Sequence, residues 1–118
     1  MRNVKSDSNR PARIAAKVQQ IVAEILRDNY ADDATLDGVS IVGADAHGAG
    51  QFVKLYYYVR GGENAAVTAR LGDITRSVRY ELAARMNQKY VPEIRFVYDD
   101  TLERAQRIED LLNNLTEK

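Results

Sequence analysis

The chain has 118 residues, 45% hydrophobic and 29% charged, the proportions of one soluble globular domain with its own core. It has no cysteine and a single histidine, which excludes disulfides, thiol chemistry, cysteine-ligated metal and any site built on several histidines. The formal net charge is zero, but the charge is segregated: +4 over residues 1–17, −4 over 24–37, +3 over 70–95 and −3 over 96–118.

Residues 1–8 are polar without apolar periodicity and are expected to be a flexible basic arm ahead of one domain over residues 9–116. Ile14, Val18, Ile21, Val22, Ile25 and Leu26 then form a helical stripe, predicting a helix over roughly 10–29 with Pro11 in its first turn. Arg13 and Lys17 fall on its opposite face. A strand is predicted over 38–45, with Val39 and Ile41 on one side and Val42 and Ala44 on the other. After a Gly-rich turn over 46–50, Phe52 to Arg60 alternates as a second strand: Val53, Leu55, Tyr57 and Val59 face inward, opposite Phe52, Lys54, Tyr56 and Tyr58. Tyrosines beside a lysine on a sheet face can stack bases, but pairing across strands is the commoner use of such a face.

From Glu63 to Gln88 one apolar stripe runs through Val67, Leu71, Ile74, Val78, Leu82 and Met86. A straight helix of that length would be about 39 Å long and would overhang a compact domain, so a break is expected, with Gly72 the one glycine inside it. Arg76, Arg79, Arg85 and Lys89 lie off the stripe. Pro92 forbids further helix, and Ile94, Phe96 and Tyr98 alternate as a third strand. Asp100-Thr101-Leu102-Glu103 has the form of a displaced capping box opening a last amphipathic helix, whose outer face is mixed to acidic. No apolar run has membrane length, and none resembles a secretory signal, so a cytoplasmic protein is expected.

No catalytic chemistry is visible. His47 sits in a turn with only Asp45 near it in sequence, Asp32-Asp33 and Asp99-Asp100 lack calcium-loop spacing, and there is no phosphate-binding glycine motif. A non-enzymatic protein without metal or cofactor is expected. The hypothesis the residues favour is a basic edge, with Arg10, Arg13 and Lys17 of the first helix beside Arg76, Arg79, Arg85 and Lys89, holding structured RNA through its phosphates. The rival is a protein-interaction module using the tyrosine-bearing sheet face and the acidic last helix.

The run VRYELAARMNQKYVPEIRFVYDD (residues 78–100), followed by Leu102 to Ile108, resembles the C-terminal signature of the ribosome-binding factor A family. The run from Arg10 to Val18, with Ile21, Ile25 and Leu26, is similar to that family's first helix. Together the resemblance covers roughly residues 9–112. It implies an α+β, KH-like domain of type II topology, α-β-β-α-(kink)-α-β-α, with a three-stranded mixed sheet and helices packed on one face. It also implies a monomer that binds the free 30S subunit and its 16S rRNA, assists maturation and processing, and leaves before translation. The family's Ala-x-Gly kink between the two helices should fall on Ile74-Thr75-Arg76, which has neither residue, so the kink is expected either at Gly72 or at Thr75.

Overall fold

The computed structural model describes the backbone of residues 3–116 and the side chains of residues 10–116, to which statements about described residues refer. Helix α1 (Asn3–Asn29) is followed by a 3-10 turn and strand β1 (Val39–His47), then a second 3-10 turn (Gly48–Gly50) and β2 (Phe52–Val59). Helix α2 (Ala65–Met86), β3 (Glu93–Tyr98) and α3 (Thr101–Thr116) complete the chain. The strand order is β1-β2-β3; β1 and β2 are antiparallel, β2 and β3 parallel. Helices α1 and α2 cover one face of this mixed sheet, the KH-like type II arrangement.

The core follows from periodicity. Strand β2 buries every second residue, Val53, Leu55, Tyr57 and Val59, against Val18, Val22 and Ile25 of α1 and the α2 stripe. Each fully buried aliphatic side chain contributes about 1.5–3 kcal/mol relative to exposure. The Tyr57 hydroxyl lies 3.2 Å from Thr68 Oγ1 of α2, so the ring enters the core without stranding its polar end.

Several expectations are corrected. Helix α1 begins at Asn3, earlier than the predicted start near residue 10; residues 1 and 2 lie outside the described residues. Pro11 consequently stands inside α1, where it removes one backbone hydrogen bond, and not in its first turn. In β1, a bulge between Ile41 and Gly43 flips the alternation. Val39, Ile41, Ala44 and Ala46 therefore all turn towards the core, while Val42 is exposed, contrary to the predicted pairing of Val42 with Ala44.

The break expected in α2, at Gly72 or Thr75, is absent: residues 65–86 form one α-helix. A glycine in a helix costs only about 1 kcal/mol against alanine, less than interrupting the buried stripe that runs through Leu71, Ile74 and Val78 on either side of it. Gly72 has open space at its Cβ position, and the Thr75 hydroxyl bonds back to the Leu71 carbonyl at 2.7 Å. The unbroken helix is accommodated because the body is not compact: its radius of gyration is 17.3 Å, well above the ~13 Å of a compact chain this size.

Part of that excess is α3, whose apolar side no described element covers. None of its residues is buried, and Leu102, Ile108, Leu111, Leu112 and Leu115 are exposed. The capping box does not form either. Asp99 accepts from the Thr101 amide and hydroxyl, which holds its carboxyl below the usual range, while Glu103 turns instead to the Tyr98 hydroxyl.

The hairpin turn is seated on α1 through Gly50. Its φ is +91°, and a Cβ there would stand 2.7 Å from Ile14 Cδ1. Gly50→Ala is therefore expected to destabilise the domain by about 1–3 kcal/mol in urea unfolding, from backbone strain and displacement of Ile14 together.

Candidate nucleic-acid interface

The site is the corner where α2 gives way to β3. Helix α2 ends because Asn87 takes the left-handed conformation (φ 54°), its N–H bonding the Ala83 carbonyl at 3.3 Å. Pro92 then blocks any restart, and Glu93 enters the sheet with its N–H on the Gln51 carbonyl at 3.0 Å. Across the corner, Arg79 donates from Nε to the Pro92 carbonyl and from a terminal nitrogen to the Val91 carbonyl, both at 3.0 Å. The same side chain lies 3.6 Å from the Glu93 carboxylate. A planar guanidinium suits this double acceptance, because both carbonyls lie within one fork.

Two adjoining hollows flank Arg79. One, of about 510 Å³, is lined by Ile14 of α1, Gly50, Gln88, Tyr90 and Arg79 itself. The other, of about 280 Å³, is lined by Arg76, Tyr80, Ala83 and again Arg79, and both include Val91. Ile14 thus brings the first half of α1 to the corner, and Arg10 and Lys17 stand one helical turn on either side of it.

The basic side chains picked out in the sequence divide into two groups. Arg10, Arg13, Lys17, Arg76 and Lys89 are exposed and make no ion pair among the described residues. The Lys89 ammonium sits 5.5 Å from the Tyr90 ring centroid. Arg79 and Arg85 are committed inward. Arg85 bridges Glu81 (3.0 Å) and Asp28 of α1 (3.1 Å), tying the two helices, and the Glu81 hydrogen bond is the largest cause of its raised pKa. Two of the seven residues expected along the basic edge thus have their guanidiniums held by partners within the chain. Gly72 and Thr75 form no kink beside it.

The acidic pairs are engaged in architecture. Asp33 accepts from Arg70 at 2.7 Å, which holds its carboxyl below the usual range, and it also caps the first 3-10 turn through the Thr35 amide. Asp100 pairs with Arg104. On the outer sheet face the tyrosines are occupied within the sheet. The Tyr56 hydroxyl donates to Asp45 at 3.2 Å, and Tyr58 stacks on Tyr98 with centroids 6.2 Å apart.

Sequence reasoning passed over Tyr80 and Tyr90, each 79% exposed beside the corner. Tyr80 carried a usable signal, an aromatic that falls off the apolar stripe and on the arginine side of α2. Tyr90 precedes Val91-Pro92, where the chain is held by backbone interactions and the ring is left to solvent.

A family model described as ribosome-binding factor A matches residues 10–112. A ribosome-binding factor A from Heliobacterium modesticaldum is 36% identical over 109 residues, spanning 91% of this chain and 89% of the relative. That from Limosilactobacillus fermentum is 34% identical, spanning 90% of each. The crystal structure of ribosome-binding factor A from Thermus thermophilus superposes with a TM-score of 0.64 at 18% identity, over 75% of this chain and 94% of that one. A homology model of the Thermus thermophilus factor, fitted into the cryo-EM map of a complex of 30S with ribosome-binding factor A, gives 0.61 at 18% identity, over 72% of this chain and 90% of that one. The match over nearly the whole length, with the same fold beneath it, places this chain in the ribosome-binding factor A family.

Proposed function

We propose that this protein is an assembly factor of the small ribosomal subunit that binds the free 30S particle through its 16S rRNA and supports processing of that RNA. What supports this reading is that Arg10, Arg13, Lys17, Arg76 and Lys89 are all exposed and pair with no carboxylate among the described side chains, with Arg76 lining a hollow of the corner and Lys89 beside Tyr90 in the other. A cation held by a carboxylate has little to gain from a phosphate, whereas a free one releases counterions from RNA on contact. Such contacts position a folded RNA and read little of its sequence. Arg79 and Arg85 shape the surface rather than touch RNA, one by holding the corner and the other by joining α1 to α2. The 30S complex of the Thermus thermophilus relative supports the choice of particle. In this reading the chain acts as a single copy in the cytoplasm, without cofactor or catalytic step.

The test is sedimentation with purified particles. Enrichment on isolated 30S over 50S and 70S is expected, and equal or absent association with all three overturns the reading. The rival, a protein-interaction module, has one observation in its favour, the exposed leucines of α3. It predicts association with 30S that is lost when those leucines are replaced by serine and that does not weaken with salt, because apolar contact is not screened.

A further inference from the structure

We propose that Tyr80 and Tyr90 are stacking platforms for unpaired RNA bases, so that the corner recognises a junction or loop of the RNA and not a regular duplex. The inference rests on the RNA-binding reading above and specifies what that surface receives.

Four other tyrosines have structural employment: Tyr57 is buried, Tyr56 bonds Asp45, and Tyr58 and Tyr98 stack on each other. Tyr80 and Tyr90 have neither a hydrogen bond nor a ring partner among the described residues, with 79% of each exposed, yet each lines a hollow that also includes Arg79 and Val91. Their surroundings are cationic. Arg76 shares the hollow of Tyr80, and Lys89 lies against the Tyr90 ring, which is itself 79% exposed. The carboxylate in this neighbourhood, Glu93, is drawn to Arg79.

An exposed ring with an adjacent cation matches one nucleotide, whose base offers a π-face and whose phosphate lies beside it. Bases inside a duplex have both faces covered, so only splayed bases can use such a platform. An acidic peptide is less well matched, since it supplies charge without a flat partner for either ring.

The test compares the wild type with Tyr80→Leu/Tyr90→Leu and Tyr80→Phe/Tyr90→Phe double variants. The probes are isolated 30S, an RNA hairpin with an unpaired loop, and a fully paired RNA of equal charge. The leucine pair is expected to lose about tenfold or more in affinity for 30S and for the hairpin, with the paired RNA unaffected, while the phenylalanine pair binds as the wild type. The chain contains no tryptophan, so Tyr90→Trp supplies a single emission signal, expected to be quenched by the hairpin and not by the duplex.

If the leucine pair binds all three probes as the wild type does, stacking is overturned while phosphate binding stands. A loss confined to 30S, with the hairpin unaffected, assigns the tyrosines to a protein contact and overturns the proposal. Failure of the wild type to bind any of the probes overturns this inference together with the reading beneath it.

Discussion

A variant carrying Arg13→Glu, Lys17→Glu, Arg76→Glu and Lys89→Glu should bind isolated 30S several thousandfold more weakly than the wild type at low salt while remaining folded. The size follows from counterion release: each phosphate contact contributes roughly 0.9 in the log–log salt slope, hence about eightfold at ~0.1 M salt, and four contacts multiply. Reversal of charge adds repulsion to that loss. Stability should hold because all four side chains are exposed and none makes an ion pair among the described residues. Surface changes of this kind usually stay within about 0.5 kcal/mol each. Circular dichroism melting beside the binding assay separates the two effects. A variant that binds at wild-type strength would show that RNA meets another face.

Arg79→Ala gives the opposite signature. It should cost about 1.5–3 kcal/mol in urea unfolding, because two carbonyls at the α2–β3 corner lose a charged donor. The side chain is only partly exposed, at 41%, and Pro92 is buried, so water replaces the donor poorly. Arg79→Lys should recover part of the loss, since one ammonium cannot reproduce the planar fork. Binding to 30S should fall in step with the fraction unfolded rather than with salt. Unchanged stability in Arg79→Ala would return this residue to the set of direct contacts.

These two predictions separate residues that look equivalent in sequence. Arg76 and Arg79 are both arginines on the outer side of α2, and nothing local distinguishes them. What decides is that Arg79 lies beneath a loop about a dozen residues later, whose carbonyls need a donor. Arg85 was half legible: Glu81 stands one helical turn before it, but its other partner, Asp28, is 57 positions away on another helix. Pairing across such distances is set by the packing of α1 on α2, not by neighbours in the chain.

Local rules succeeded where local forces dominate. The alternation in β2 and the bar to further helix at Pro92 were both readable, because each follows from backbone period or from a missing N–H, whereas the left-handed Asn87 that ends α2 was not foreseen. Strand β1 misled because a bulge adds one residue without leaving a mark in its composition. Helix α2 misled for a different reason. Gly72 is a permissive residue and not a break when the stripe on both sides is buried. The last helix showed an amphipathic pattern with no information on what its apolar side would meet, and no described element of this chain covers it.

The most direct measurement is the affinity of the wild type and the four-site variant for isolated 30S across a range of salt concentrations, each plotted as log K against log salt. If free cations at the corner grip rRNA phosphates, the wild-type line is steep and the variant's slope is shallower by about 3.6, roughly 0.9 for each contact removed. Two parallel lines, or a wild-type affinity indifferent to salt, would contradict it.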